Sequence, residues 1–305
     1  MLKKVIAVAG PTASGKTALA IEIAKRFSGE IISCDSMQIY KGMDIGTAKP
    51  DLDEMQGVPH HMIDVVDMDT RYSVADFALD ARASIDDVLS RGKVPVIAGG
   101  TGLYMDSVLN NIEFFEFECD PNFRSEMEKI AETEGNEVLH NRLKALDPEA
   151  AENIHPNNVR RVIRALEVCE FSGMTFSRAN ELSRQKPVYQ SLIIGIDVER
   201  ARLYERINLR VDQMMEKGLY QEVERLCKMG ADRNSTAMQA IGYKEILDSI
   251  EGIISPEEAV EKIKMESRRY AKRQLTWFKR NENIHWINPE DGFDQVFELC
   301  REFLK

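Results

Sequence analysis

Hydrophobic and polar positions change period several times along this chain, and each change marks an element. Lys4-Val5-Ile6-Ala7-Val8-Ala9 is a β-branched and apolar run, the pattern of a strand buried on both faces of a parallel sheet. The segment 18–27 then carries apolar residues at helical spacing among good helix formers. Glu30-Ile31-Ile32-Ser33-Cys34 reads as a second strand ending at Asp35. Residues 36–64 are punctuated by Gly42, Gly46, Pro50, Gly57 and Pro59 and read as loop. The spacing predicts a helix over 73–91, with Ser73 as N-cap and Asp76 at the third position after it. Lys93 to Ala98 is another buried strand, closed by Gly99-Gly100-Thr101-Gly102, and a helix is expected over 103–109. Strand, helix, strand, helix at this spacing implies a parallel sheet covered on both faces.

The texture changes after Asn110. From Asp120 to about Arg184 no segment alternates convincingly as a strand. Helical patterns there are separated by Gly135, Asp147-Pro148, His155-Pro156 and Gly173. This stretch reads as an all-helical insertion. The sheet resumes with Ser191 to Asp197, and long helices are expected over 199–217, 219–229, 238–250 and 256–280. A short strand, Ile284-His285-Trp286-Ile287, and a final helix follow. The resulting expectation is an α/β core in two parts, residues 1–112 and 189–305, interrupted by a helical domain over 113–188. A length of 305 residues suits one large domain plus an insertion.

Between the first strand and the first helix lies Gly10-Pro11-Thr12-Ala13-Ser14-Gly15-Lys16-Thr17. This is the G-x-x-x-x-G-K-[ST] phosphate-binding loop, in the strand–loop–helix context it requires. The glycines let the backbone turn its N–H groups towards an anion, and the helix N-terminus adds partial positive charge at the same place. Lys16 can neutralise a phosphate oxygen, and the Thr17 hydroxyl can hold Mg²⁺. The motif specifies a di- or triphosphate, nucleotides such as ATP included, but not which one or what is done to it.

Bulk properties narrow the partners. A hydrophobic fraction of 43% with 30% charged residues describes a globular chain, and no apolar run approaches the ~20 residues of a membrane span. Met1-Leu2-Lys3-Lys4 leads directly into the first strand, which argues against a cleaved leader. The cysteines Cys34, Cys119, Cys169, Cys227 and Cys300 are scattered, without a C-x-x-C pair. That disfavours a zinc ribbon or a disulfide framework and suits a reducing cytoplasm. A net charge of −11 argues against indiscriminate nucleic-acid binding while leaving room for local basic surfaces.

Three loops should sit at the carboxyl ends of strands: 10–17, 35–38 and 99–102. In an open parallel sheet that edge binds ligands, so Lys16, Asp35 and Thr101 are expected to converge there. Asp35 has two readings. It can hold Mg²⁺ or accept a proton from an acceptor substrate, or it can cap its own turn through the backbone near Met37. Gly99 to Gly102 offers N–H groups and the Thr101 hydroxyl to a leaving phosphate or a developing charge.

Basic residues gather in two predicted helices. Arg160 and Arg164 share a face beside Arg161. Arg269, Lys272, Arg273, Thr276 and Arg280 form a second stripe, with Tyr270 and Trp277 placed as core residues rather than stacking platforms. Each stripe is either a polyanion contact or a solvated face. Adjacent His60 and His61 on an extended segment would point to opposite faces, so no zinc is assigned to them.

Taken together, GPTASGKT (10–17), DSMQIYKGMDIGTAKP (35–50), VPHHMID (58–64), YSVADF (72–77), VPVIAGGTGLY (94–104), NNVRRVIRALEV (157–168), LYERINLRVDQMMEKGL (203–219), AMQAIGYKE (237–245) and SRRYAKRQLTWFKR (267–280) resemble the bacterial tRNA dimethylallyltransferases, the IPP transferase family. The resemblance spreads over nearly the whole chain. It implies a P-loop NTPase-like parallel sheet flanked by helices, with an all-helical insertion that binds tRNA. It further implies transfer of the dimethylallyl group from dimethylallyl diphosphate to N6 of adenosine 37, immediately 3′ of the anticodon, in tRNAs reading codons that begin with U. In this family the phosphate loop, Gly10 to Thr17, holds the donor diphosphate with Mg²⁺ at Thr17. Asp35 would accept the amine proton, and Lys16 and Thr101 complete the catalytic set. Asp35, Ser36, Met37, Gln38, Thr101, Arg124, Arg160, Arg161 and Arg164 match tRNA contacts, the match around Arg124 being looser. The expected partners are tRNA and dimethylallyl diphosphate, with no membrane and the chain a monomer. The alternatives are a P-loop small-molecule kinase, which would transfer phosphate from ATP with no role for tRNA, and a non-catalytic RNA-binding nucleotide switch.

Overall fold

The computed structural model describes residues 2–114, 117 and 120–305. Of the residues singled out above, Met1 and Cys119 lie outside the described residues. The chain divides into two compact units, Met1–Leu109 with Pro187–Lys305, and Asn110–Lys186.

The first unit is built on one six-stranded sheet. Its strands are β1 (Lys3–Ala9), β2 (Gly29–Cys34), β3 (His60–His61), β4 (Val94–Gly99), β5 (Tyr189–Ile196) and β6 (Ile284–Ile287). They lie in the order β3-β2-β4-β1-β5-β6, every neighbouring pair parallel. Alternate residues of each strand serve opposite faces. Ile6, Val8, Ile31, Val96, Ile194 and Ile196 pack on one side, against Leu19, Ile23 and other residues of helix α1 (Lys16–Arg26). Val5, Ala7, Ile32, Ile97 and Ile193 pack on the other, against α3 (Val74–Ser90) and α4 (Gly102–Leu109). The sheet is therefore covered on both faces, as an all-parallel sheet requires.

Ser73 caps α3 as its sequence suggests. The Ser73 hydroxyl accepts the Asp76 N–H, and the Asp76 carboxylate accepts the Ser73 N–H in return. Two details depart from the hydropathy pattern. The loop-like stretch 36–64 contains the short helix α2 (Leu52–Met55) and the edge strand β3, which pairs His60 with Ile31 and His61 with Ile32. A two-residue strand is too short to show alternation. The helix expected over 238–250 begins only at Tyr243. Residues before it fold as turns, and the Glu245 carboxylate accepts the Gly242 N–H to start α12 (Tyr243–Ile250).

A third core lies between the loop after β2 and the helices α10 (Arg200–Glu216), α11 (Leu219–Lys228), α12 and α13 (Pro256–Phe278). The terminal helix α14 (Asp294–Leu304) closes the first sheet face.

The second unit holds α5 (Phe123–Glu134), α6 (Asn136–Leu146), α7 (Pro148–Asn153), α8 (Val159–Phe171) and α9 (Phe176–Ser183). Their core includes Met127, Leu139, Leu143, Ile154, Val162 and Leu166. Buried Asp147 ties two of these helices together, accepting the Ala150 N–H at the start of α7 and both the N–H and hydroxyl of Ser177 in α9. Near the two ends of this unit, Ile112 and Arg184 form an antiparallel bridge. No helix among the described residues is long and apolar enough to cross a membrane.

The loop following β2 is fixed by a buried carboxylate. Glu222 of α11 accepts the backbone N–H groups of Asp44, Ile45 and Gly46 and the Tyr243 hydroxyl, the last at 2.6 Å. Glu222→Gln removes the charge and turns an amide NH2 towards two of these four donors. The expected loss is about 1–3 kcal/mol of stability, read from the midpoint of urea unfolding.

Candidate functional site

The strands β2, β4 and β1 end level with one another. Cys34 is in register with Gly99, and Gly99 with Ala9. The loops that leave these strands therefore start from one edge. They are the phosphate loop, the segment beginning at Asp35, and Gly100-Thr101. Sequence reasoning expected this convergence, and the contacts realise it. The Ser36 N–H donates to the Thr101 hydroxyl at 3.3 Å, and Asp35 lies close enough to Lys16 to oppose its loss of a proton.

The phosphate loop is a tight anion cradle. Ala13 and Gly15 take left-handed backbone angles, φ 61° and 94°, which turn the chain back before α1 begins at Lys16. Ser14 is buried, and its hydroxyl oxygen has no hydrogen-bond partner among the described residues. An orphaned hydroxyl inside a loop of this shape is an open position for a phosphate oxygen. Thr17 is exposed at the first turn of the helix. The Lys16 ammonium donates to the Pro11 carbonyl at 3.2 Å. Burial lowers its pKa to about 8, neighbouring Arg210 adds to that fall, and Asp35 works against it.

Arg210, from α10, is a site residue that the motif search passed over. Its guanidinium donates to the Thr12 hydroxyl at 3.5 Å, and burial pushes its own pKa down while Asp35 and Glu54 resist. Two cations thus share the space beside the loop, a costly arrangement that a polyanion would relieve. Arg210 lies on the face of α10 that carries Leu203 and Ile207. An arginine at an apolar register position is the signal that could have found it.

Asp35 adopts the turn-capping bond that the sequence allowed, with Oδ1 accepting the Met37 N–H at 2.9 Å. This occupies one carboxylate oxygen and fixes the direction of the group. Gln38 is engaged by the protein: its oxygen accepts from the Ser33 hydroxyl, and its nitrogen donates to the carbonyls of Thr47 and Ala48. The Gly100 carbonyl accepts from Gln274 of α13, a second residue that the motif reading missed.

Mg²⁺ prefers hard oxygen donors and keeps several waters, taking only one or two protein ligands beside the phosphates. The exposed Thr17 hydroxyl and the nearby Asp35 carboxylate are donors of that kind. No cluster of three or more His, Cys, Asp or Glu residues suited to a metal is found among the described residues. Thr17 and Asp35 are thus the residues that would hold a magnesium ion here, where it would neutralise phosphate charge. His61 bonds to Glu30 at 2.7 Å, and His60 to the Val58 carbonyl at 2.8 Å.

The basic residues of the second unit form a local group of their own. Buried Glu167 accepts two bonds from the Arg124 guanidinium, at 2.7 and 2.8 Å, and one from Arg164 at 2.5 Å. Those two bonds to Arg124 and the one to Arg164 hold the Glu167 carboxyl below its usual range against the opposing effect of burial. Arg160 and Arg161 stand exposed on the same helix, α8. On α13, Arg269, Lys272, Arg273 and Thr276 are exposed, as is Arg280 just past its end, whereas Gln274 and Phe278 face inward and Trp277 packs with the second sheet-face core.

Comparison with known proteins gives this geometry a context. A family model described as IPP transferase matches residues 38–281. The tRNA dimethylallyltransferase of Acetivibrio thermocellus is 55% identical over 301 residues, covering 98% of this chain and 96% of its own. That of Caldanaerobacter subterraneus is 51% identical over 309 residues, covering 100% of this chain and 98% of its own. Among solved structures, the full-length tRNA isopentenylpyrophosphate transferase of Bacillus halodurans is 44% identical with a TM-score of 0.74, covering 99% of this chain and 95% of that one. A eukaryotic dimethylallyltransferase acting on tRNA is 30% identical with a TM-score of 0.83, covering 99% of this chain and 79% of that one. The small-molecule kinase alternative is not favoured by these relatives.

The low pKa of Lys16 has a measurable consequence. A bound diphosphate favours the charged ammonium, so affinity is full below pH 8 and weakens above it as the group discharges. Calorimetric titration with inorganic diphosphate should show this weakening, at most about tenfold per pH unit from this group. Lys16→Arg stays charged throughout and should flatten that slope. Equal slopes for the two proteins would remove Lys16 as its source.

Proposed function

The chain belongs to the IPP transferase family, and from that premise we propose that it moves the dimethylallyl group of dimethylallyl diphosphate onto the exocyclic amine of an adenosine in tRNA. The acceptor in this reading is the adenosine immediately 3′ of the anticodon. The observation that carries it is the juxtaposition, at one sheet edge, of a two-cation phosphate cradle with a carboxylate. Lys16 and Arg210 face the loop, and Asp35 lies within their electrostatic reach.

The chemistry needs both halves. The adenine amine is a poor nucleophile, because its lone pair is delocalised into the ring. As its nitrogen bonds to the allylic carbon, the carbon–oxygen bond to diphosphate breaks and the amine loses a proton. Asp35, oriented by its bond to the Met37 N–H, takes that proton. Negative charge grows on the departing diphosphate, where Lys16, Arg210, the loop N–H groups and the Ser14 hydroxyl can meet it. A magnesium ion at Thr17 would supply further charge neutralisation on the phosphate oxygens. Thr101, bonded to the Ser36 N–H, borders the same space and can touch either substrate.

An adenine within a stacked loop must leave its stack to reach such a site. Arg124, Arg160, Arg161 and Arg164 of the helical unit supply cationic groups for the tRNA backbone, and buried Glu167 holds two of them ready. Ser36 and Met37 border the site beside Asp35 and are assigned to the tRNA surface with it. Gln38 contributes by holding the loop in place.

Incubation with dimethylallyl diphosphate, Mg²⁺ and unmodified tRNA, followed by nucleoside mass analysis, tests the reading. One adenosine should gain a dimethylallyl group, and phosphate transfer from ATP without prenylation would refute it. Asp35→Asn should lower kcat by about 10²–10⁴-fold with tRNA binding retained; undiminished turnover would free Asp35 of the assigned role. Arg164→Glu should raise KM for tRNA and reduce the salt dependence of binding. Unchanged affinity at low salt would return Arg164 to a solvated surface role.

A further inference from the structure

Helix α13 contributes to the site from far along the chain. Its residue Gln274 is 5% exposed and lies between the two glycine-rich loops. The side-chain oxygen accepts the Thr12 N–H at 2.9 Å, and the side-chain nitrogen donates to the Gly100 carbonyl at 2.9 Å. One amide therefore joins the loop that carries Lys16 and Thr17 to the loop that carries Thr101. Its orientation is unambiguous, because one partner is a donor and the other an acceptor. The fit is close: a Cβ on Gly100 would stand 2.1 Å from the Gln274 nitrogen. One helical turn earlier, the half-buried Tyr270 side chain lies beside Thr101 and Gln274.

Two consequences follow from the bonding. The Thr12 N–H is directed to Gln274, so the anion is left to the remaining N–H groups of the loop. Thr101 is also tied to α13 through the carbonyl of the preceding residue, Gly100. Its position relative to the phosphate loop is thus set by a buried side chain that lies outside the phosphate-binding motif.

We propose that Gln274 is a positioning residue for the transfer reaction, a clasp that fixes Thr101 against the phosphate loop without itself touching either substrate. This rests on the prenyl-transfer reading of the site. The bond to Thr12 can be tested without that reading.

The experiment is a double-mutant cycle on steady-state kinetics, using the full chain, tRNA and dimethylallyl diphosphate. Gln274→Met keeps length and burial but removes both hydrogen bonds. It should lower kcat by about 10–100-fold, the scale on which small misplacements of reacting groups cost rate, and leave KM for tRNA within about twofold. If Gln274 acts through Thr101, Thr101→Ala should cost much less in the Gln274→Met background than in the wild type. Gln274→Glu keeps the acceptor for Thr12 and loses the donor for Gly100. It should also lower kcat, and it serves if the methionine variant fails to fold. Wild-type kcat in either folded variant, or effects of Gln274 and Thr101 that simply multiply, would overturn the proposal. Hydrogen exchange separates its failure from that of the functional reading. Gln274→Met should speed exchange at the Thr12 amide whatever the reaction is, and unchanged exchange would sink the clasp. An inactive wild type that nevertheless shows this effect would instead count against prenyl transfer.

Discussion

The site depends on one geometric constraint, the level termination of three parallel strands. Cys34, Gly99 and Ala9 share a register, so three loops leave the sheet at the same height. The contact is closer than most side chains permit. A Cβ on Gly99 would lie 2.0 Å from the Cys34 carbonyl oxygen. Any larger residue would have to push β2 from β4, and Asp35 would move with β2. Parallel pairing alone places the loops on one edge. The close approach at Gly99 decides how near the Asp35 turn and the Thr101 turn stand, near enough for the Ser36 N–H to reach the Thr101 hydroxyl.

On that edge the electrostatics are deliberately unbalanced. A chain of net charge −11 concentrates Lys16 and Arg210 at the phosphate loop. Burial penalises the charged form of both, and Arg210 further lowers the hold of Lys16 on its proton. Such an arrangement costs stability without a ligand and offsets that cost when an anion arrives. The orphaned Ser14 hydroxyl belongs to the same logic, since a buried donor without a partner is tolerated where a substrate atom satisfies it. By contrast, the Glu30 carboxylate near the other end of β2 is fully paired, with Arg91, Lys93 and His61. Its charges are balanced within the protein. The contrast separates an ion cluster balanced within the protein from one whose charges an anion would balance.

How much of this could be read from the chain varied with sequence distance. The parallel sheet, the phosphate loop and the capped helix at Ser73 were legible because each depends on neighbouring residues, through hydropathy period, glycine placement or a capping pair. The convergence of Lys16, Asp35 and Thr101 was legible because strand ends in a parallel sheet share an edge. The two-residue strand at His60–His61 was not, since its pairing is set by β2 rather than by its own pattern. Arg210 and Gln274 were hidden for a different reason. Arginine and glutamine suit solvated helix faces, and nothing local separates those uses from a site. The clue was positional. Gln274 shares the inward face of α13 with Ala271 and Phe278, as Arg210 shares that of α10 with Leu203 and Ile207. A polar residue at an apolar register position has to be paired, and its partners proved to be the two loops of the site.

Asp35 shows why a structural and a chemical reading of one residue need not compete. A proton acceptor works best when its direction is fixed before the substrate arrives, because reorientation during the reaction adds to the barrier. The bond from the Met37 N–H to one Asp35 oxygen supplies that fixation. The next residues extend it: Ser36 leans on Thr101, and Gln38 bonds to Ser33, Thr47 and Ala48. Further along, Glu222 anchors the loop through three backbone N–H groups. The carboxylate is thus the first member of a chain of hydrogen bonds that ends in a buried core, and in the proposed reaction the turn cap would make it a rigid acceptor.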